Sequence, residues 1–179
     1  MDEFQQLVEA HYQALYRFAY SLAKNADGAS DLVQQTYCRW AEKGHQLKDR
    51  SKAKTWLFTT LYREFLATKR KQERYSSEDI DEIEYKLPSH SDASDRQIDA
   101  KRAVRKLMEL DELFRAPLSL FYLQQHSYKE IAKILDIPIG TVMSRISRGK
   151  TQLKKNMSET SCSDKIISIK PEARQKNHG

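Results

Sequence analysis

Residues 127–150 read SYKEIAKILDIPIGTVMSRISRGK and predict two short helices joined by a tight turn. Ser127 and Glu130 have the spacing of a capping box, in which each side chain bonds to the other residue's backbone N–H, so a helix begins there. Pro138 ends this helix after about two turns. Together with Gly140 it opens a second helix, because proline suits the first turn. The pattern is that of a helix-turn-helix.

The second helix carries hydroxyl and basic side chains on the side away from its apolar residues Val142 and Ile146. Hydroxyl and guanidinium groups donate to phosphates, and an arginine near a helix N-terminus can pair with guanine in the major groove. A solvated basic face would show the same charge, so that alternative stays open. The candidate DNA contacts are Thr141, Ser144, Arg145, Ser147, Arg148 and Lys150.

The rest of the chain also reads as helix. Apolar residues recur at spacings of three and four, and the 179 residues include only 5 glycines and 4 prolines, which favours an all-α fold. Between 73 and 97 eight acidic residues face three basic ones, a composition that cannot bury enough apolar surface to order itself. We therefore predict a helical domain at 1–72, a flexible acidic linker at 73–97, a helix-turn-helix domain at 98–156 and a flexible tail at 157–179.

Three local features follow from the same patterns. Asp27 is a candidate N-cap for the second helix and Gly44 a candidate stop. Pro117 suits the first turn of a helix better than its interior. Residues 124–126 read as a short polar bend before the helix-turn-helix.

Composition narrows the class of protein. The net charge of +6 favours an anionic partner, either nucleic acid or an acidic membrane surface. No run of about 18 apolar residues is present, and the N-terminus is acidic and amphipathic, so we expect a cytoplasmic protein without membrane insertion. Cys38 and Cys162 lie far apart without the spacing of a zinc site.

Two separated motifs resemble one family. Residues 128–150, with the core IPIGTVMSR at 137–145, resemble the region 4 signature of RNA polymerase sigma factors of the extracytoplasmic-function type. Residues 31–37 (DLVQQTY) and 56–66 (WLFTTLYREFL) resemble region 2 of the same family. The resemblance implies two small helical domains, the C-terminal one a winged-helix-like helix-turn-helix. It also implies a subunit that binds the β and β′ subunits of core RNA polymerase and promoter DNA, without an enzymatic activity, cofactor or metal of its own. An anti-sigma factor is a possible further partner.

The resemblance also assigns site residues in the N-terminal half. For the upstream promoter element it offers Trp56, Phe58 and Tyr62 as stacking surfaces, although an aromatic ring at such a position more often belongs to the core. The implied polymerase contacts, which could also simply face water, are Asp31, Gln34, Gln35 and Arg39. The implied basic contacts to the upstream element are Lys48, Arg50, Lys52, Arg63, Lys69, Arg70 and Lys71.

Some positions depart from the family pattern. Arg63 stands where asparagine is frequent, Met143 where a basic residue is frequent, and Gly149 and Lys150 where Ala-Arg is usual. Because of these departures, the promoter sequence cannot be inferred. Met143 removes a cationic contact and would read either a thymine methyl group or nothing.

Two other classes of function compete with this interpretation. A helix-turn-helix repressor or activator would bind DNA without polymerase as its obligate partner. A metal-dependent nuclease would need converging carboxylates or histidines, whereas the dense carboxylates fall in the predicted linker. The histidines are scattered along the chain at His11, His45, His90, His126 and His178.

Overall fold

The structure, a computed structural model, describes residues 3–75 and 95–163. Seven α-helices lie in these two ranges: α1 Glu3–Ala23, α2 Ala26–Lys43, α3 Ala53–Tyr75, α4 Asp95–Glu109, α5 Glu112–Leu118, α6 Tyr128–Leu135 and α7 Ile139–Ser163. Short 3₁₀ turns occupy Gly44–Gln46 and Arg50–Lys52, and a π-helical turn occupies Ser119–Leu123. The two ranges contain no β-strand, so the prediction of an all-α fold is confirmed and no β-wing follows the helix-turn-helix there.

Helices α1, α2 and α3 form the N-terminal domain. Their apolar stripes face one another, so that Leu15, Phe18, Leu57, Phe58 and Leu61 are fully buried. The rings of Phe18 and Phe58 lie 5.5 Å apart between centroids. Burying each such side chain contributes about 1.5–3 kcal/mol, so this small core depends mainly on these contacts.

Helices α4 to α7 form the C-terminal domain. Ile131 and Ile134 of α6 and Val142 and Ile146 of α7 are buried with residues of α5. The capping box is present, with Ser127 Oγ accepting from the Glu130 backbone N–H. Asp136 ends α6 in the left-handed conformation at φ 54°. This residue lets the chain reverse within the tight turn.

The two domains pack against each other. Helix α3 lies against α6, and α1 lies against α5 and the π-helical turn. The α1/α3 surface and the α5–α6 surface that meet here are called the interdomain seam below. No helix in the described part of the chain is long and apolar enough to cross a membrane.

Several local predictions need correction. The N-cap of α2 is Asn25, whose side chain accepts from the Gly28 N–H at 2.7 Å. Asp27 instead lies in the first turn, where a carboxylate is favoured by the helix dipole. Pro117 lies near the end of α5 rather than in its first turn. Because proline lacks an N–H and crowds the preceding turn, the helix changes pitch directly after it.

Residues 124–126 form the predicted bend, with Gln125 exposed at φ 55°, but Gln124 and His126 are buried in the seam. The helices also extend past the predicted domain limits. Helix α3 continues to Tyr75, α4 begins at Asp95, and α7 continues to Ser163, so parts of the predicted linker and tail are helical. The remaining predicted linker at 76–94 and tail at 164–179 lie outside the described residues.

Candidate functional site

The exposed side of α7 forms a polar strip that we call the recognition face, comprising Ser144, Ser147, Arg148 and Thr151. Spacings of three and four place these residues above one another on one side of the helix. Nothing lies within 4 Å of a Cβ built on Gly140, and Met143 is 53% exposed. The start of α7 is therefore unobstructed, and a protruding helix of this kind can enter a concave DNA groove.

The six residues predicted to contact the distal element do not share one face. Ser144, Ser147 and Arg148 lie on the recognition face, and half-buried Thr141 accepts from Ser144 Oγ through its carbonyl at 3.0 Å. Arg145 is half-buried and lines a cleft with Tyr62 and Glu112. Lys150 is exposed on another side of α7.

Lys150 borders an apolar groove between α4 and α7, lined among others by Leu107, Leu153 and Met157. It therefore lies on the flank of the helix rather than on the recognition face. Thr151 was missed by the sequence interpretation. Its spacing of seven from Ser144 and four from Ser147 was the signal that could have included it.

The four predicted polymerase contacts lie together. Asp31, Gln34, Gln35 and Arg39 are exposed on α2 and line a cleft of about 720 Å³ against α3. We call it the α2–α3 cleft.

The opposite wall of the α2–α3 cleft carries Glu64, Thr68 and Lys71. Arg39 donates through Nε to Glu64 at 2.9 Å and through Nη1 to Glu42 at 3.2 Å. These hydrogen bonds raise the pKa of Arg39. The cleft therefore offers two cations, Arg39 and Lys71, among carboxylate and amide groups.

The loop before α3 holds its basic residues differently. Arg50 pairs with Glu3 at 3.1 Å and lies 5.6 Å from the centroid of the Trp40 ring. Lys52 pairs with Asp49 at 3.0 Å. Lys48 is exposed.

The three aromatic candidates also differ. Phe58 is fully buried and belongs to the core. Trp56 is half-buried, and its ring packs edge-on against Trp40 at 5.1 Å. Tyr62 is half-buried, and burial raises its pKa. Only Trp56 and Tyr62 therefore retain enough exposed surface to stack on a base.

The basic residues of α3 divide among three environments. Arg63 and Arg70 are exposed, and Arg70 Nε donates to the Leu66 carbonyl at 3.2 Å. Lys69 pairs with Glu112 of α5 at 2.8 Å, and this hydrogen bond raises its pKa. Lys71 lines the α2–α3 cleft. The upstream set is thus not one continuous strip.

Within residues 3–75 and 95–163, no three histidine, cysteine, aspartate or glutamate side chains lie close enough together to hold a metal ion. His126, which is buried, packs against the Phe58 ring.

Comparison with known families places these surfaces in context. The family model for sigma-70 region 2 matches residues 7–75, and that for sigma-70 region 4 matches residues 101–153. The first match contains α2, α3 and the cleft between them. The second contains the helix-turn-helix and the recognition face.

Individual relatives agree with the family matches. The chain is 30% identical over 155 residues to the ECF RNA polymerase sigma factor SigM of Bacillus subtilis, covering 86% of this chain and 93% of that relative. It is 33% identical over 169 residues to the ECF RNA polymerase sigma factor SigE of Mycolicibacterium smegmatis, covering 89% of this chain and 65% of that relative.

A solved structure agrees as well. The sigma factor RpoE of Bartonella quintana, crystallised with the anti-sigma factor NepR, superposes with a TM-score of 0.76 at 30% identity, covering 88% of this chain and 98% of that one. The superposition spans both domains. The chain therefore belongs to the sigma-70 family as an RNA polymerase sigma factor of the extracytoplasmic-function type, and it serves promoter-specific transcription initiation.

Proposed function

We propose that this sigma factor binds core RNA polymerase through the α2–α3 cleft and the distal promoter element through the recognition face of α7. The observation that carries the first half is the convergence of Asp31, Gln34, Gln35 and Arg39 on one exposed cleft. Polar groups in a concave surface give orientation and specificity to a partner. The partner is the β and β′ pair of the polymerase, and the protein acts in the cytoplasm without enzymatic activity of its own.

The recognition face is suited to a DNA major groove. Arg148 is exposed and can donate two hydrogen bonds to guanine, whereas Ser144 and Ser147 can donate to bases or phosphates. Met143 beside them is apolar and exposed, which suits a thymine methyl group. Lys150 adds a phosphate contact from the flank of the helix.

The upstream element is bound by the N-terminal domain. Lys48, Arg50 and Lys52 lie in the loop before α3, and Arg63, Lys69, Arg70 and Lys71 lie along that helix. Several of these cations are paired with carboxylates in the free chain. Exposed pairs of this kind contribute only about 0–1 kcal/mol, so DNA phosphates can replace the carboxylates at little cost.

An anti-sigma factor is a further proposed partner. RpoE of Bartonella quintana was solved with the anti-sigma factor NepR, and CnrH, whose likeness at 21% identity concerns the fold alone, with the cytosolic domain of CnrY. A protein that covers both domains would compete with polymerase and DNA together.

The test is association with core polymerase followed by transcription. The full chain mixed with core polymerase should co-elute on size exclusion and start transcripts at defined positions. Asp31→Arg should weaken the affinity for core polymerase at least about tenfold, which corresponds to about 1.4 kcal/mol of binding free energy. Glu9→Arg is the control, because Glu9 is exposed on α1 outside the cleft. DNA binding without polymerase association would instead favour a stand-alone repressor or activator.

A further inference from the structure

The start of α7 carries two exposed apolar side chains. Ile139 is 50% exposed and Met143 is 53% exposed, which makes them the two most exposed large hydrophobic side chains in the described part of the chain. Single exposed residues of this kind are common on protein surfaces and need no explanation. A pair on neighbouring turns, at the point where a helix meets its partner, indicates an apolar contact.

The core of the C-terminal domain does not use these two side chains. Ile137 packs against the core, whereas Ile139, two residues later, is exposed. On α7 itself the core takes Val142 and Ile146, which are buried. The packing that builds the helix-turn-helix is therefore complete without Ile139 and Met143.

The two side chains lie together on the first turns of α7. The backbone N–H groups of Thr141 and Val142 donate to the Pro138 carbonyl at 2.9 and 3.1 Å, so Ile139 belongs to the first turn. Met143 follows four residues later, and residues at this spacing have Cβ atoms about 5–6 Å apart on one side of a helix. Helical side chains lean towards the N-terminus, so the Met143 side chain extends over the turn that carries Ile139. We call this pair the apolar tip.

The apolar tip lies beside the polar recognition face. Ser144 follows Met143 directly, and Ser147 lies one turn further along α7. Gly140, between the two apolar residues, has no atom within 4 Å of a Cβ built on it. A glycine allows the backbone to approach a ligand closely. No side chain at this position therefore holds the start of the helix away from a base pair.

Charge separates the apolar tip from the basic part of α7. Residues 137–144, IPIGTVMS, contain no charged side chain, and the first basic residue of the helix is Arg145. Phosphates are bound mainly by cations and hydrogen-bond donors, so the apolar tip does not suit the DNA backbone. It suits base edges, which the N-terminal residues of a recognition helix contact in the major groove.

Thymine is the base that offers an apolar group in the major groove. Adenine, guanine and cytosine present hydrogen-bond donors and acceptors there, whereas thymine also presents its C5-methyl group. Successive bases of one strand are about 3.4 Å apart along the duplex axis. Side chains about 5–6 Å apart can therefore reach two neighbouring base pairs.

We propose that Ile139 and Met143 are specificity-determining residues that read the C5-methyl groups of thymines at two neighbouring base pairs of the distal promoter element. This inference rests on the proposed binding of that element by the recognition face. It goes further because it assigns a role to Ile139 and names the bases that are read. Met143 stands where a basic residue is frequent in the family, so here a methyl contact takes the place of a cationic one.

The first experiment identifies the bases. The full chain bound to core polymerase selects binding sites from a library of random-sequence duplexes, and the distal element of the selected sites should carry thymine at two neighbouring base pairs. One selected duplex is then compared with copies in which these thymines are replaced by deoxyuridine, which lacks only the methyl group. In fluorescence anisotropy each lost methyl group should weaken binding about fourfold. Deoxyuridine outside both promoter elements is the control and should leave binding unchanged.

The second experiment removes the two side chains. Ile139→Ala and Met143→Ala shorten exposed side chains, so the fold should not change. If the apolar tip reads the methyl groups, the double variant should bind the thymine and deoxyuridine duplexes alike, within about twofold. Met143→Leu keeps an apolar side chain and is the matched control, which should retain most of the methyl dependence. The deoxyuridine series on the parent protein remains a test even if a variant fails to fold.

The outcomes separate this inference from the proposed function. A distal element without thymine, or unchanged binding of the parent protein to every deoxyuridine duplex, would overturn the methyl-reading role. A folded double variant that keeps the full methyl dependence would overturn it as well. A polymerase-bound chain that selects no distal element at all would instead contradict the proposed function.

Discussion

The imidazole of His126 packs edge-on against the ring of Phe58, with centroids 4.7 Å apart, so a titratable side chain of one domain touches the core of the other. Burial and, to a smaller extent, the charge of Lys54 lower the pKa of His126 from 6.5 to about 4, although Glu130 opposes the shift. The folded state therefore holds His126 neutral, whereas the unfolded state takes up a proton near pH 6.5.

This difference predicts a pH dependence of stability. The contribution of neutral His126 to the free energy of unfolding is complete above about pH 6.5. It is lost as the pH falls towards 4, because the unfolded chain then binds a proton that the folded chain does not. The free energy of unfolding should fall by up to about 3 kcal/mol from this group. Urea titrations across that range measure it. His126→Phe, which packs but does not titrate, should show a flatter profile, and parallel profiles would count against the assignment.

Arg148 and Lys150 should differ in what they recognise. If Arg148 contacts a base edge, Arg148→Ala should cost about 1–3 kcal/mol of binding to the cognate promoter and less on scrambled DNA. Lys150→Ala should weaken both similarly and reduce the salt dependence by about one ion. Fluorescence anisotropy across salt concentrations with the polymerase-bound protein measures both. Arg105→Ala on exposed α4 is the charge control. Equal losses on both DNAs for Arg148→Ala would contradict a base contact.

Two glycines of α7 should respond oppositely to alanine. A Cβ on Gly149 would lie 2.8 Å from Leu118 Cδ1 and 3.0 Å from Phe114 Cβ, whereas one on Gly140 meets nothing within 4 Å. Crowding costs about 1–3 kcal/mol and alanine's helix propensity returns about 1, so Gly149→Ala should lose up to about 2 kcal/mol. Gly140→Ala should gain up to about 1 kcal/mol. Thermal unfolding of both variants tests this, and equal effects would exclude the packing explanation.

The capping box should stabilise the helix-turn-helix measurably. Ser127 N donates to Glu130 Oε2 at 2.8 Å, and Ser127 Oγ accepts from the Glu130 N–H at 3.3 Å. Ser127→Ala should cost about 0.5–2 kcal/mol of unfolding free energy, since the first turn loses an acceptor. Ser30→Ala, at an exposed position inside α2, is the matched control and should not destabilise. A loss no larger than the control's in urea denaturation would argue against the cap.

The helix-turn-helix was predictable because its signals are local. Ser127, Glu130 and Pro138 fix where two helices begin and end through bonds within a few residues. The family resemblance then predicted which polar residues of α2 share a surface, and helical spacing places them together. Gly149 departs from the family pattern. The reason is visible only in the structure, where Leu118 and Phe114 approach this glycine closely.

The interdomain seam could not be predicted from the same signals. Arg115 sits in an apolar run and finds the Ser21 carbonyl only because α5 packs on α1, 94 residues away. Likewise, residues 124–126 read as a polar bend because nothing nearby in the sequence shows that α3 covers them. The sequence pattern placed Arg145 and Lys150 in one basic set. In the structure Arg145 lies beside α3 and α5, whereas Lys150 lies at the groove between α4 and α7.

Helix α7 is continuous from Ile139 to Ser163, which at 1.5 Å per residue makes a rod of about 37 Å. Its first turns present Ser144 and Arg148, and its later turns rest against α4 at the apolar groove. Val142, Ile146 and Gly149 fasten the middle of this rod to the core of the domain. One helix therefore carries two separate surfaces, the polar recognition face near its start and the apolar groove near its end, and a partner seated in the groove would leave the recognition face uncovered.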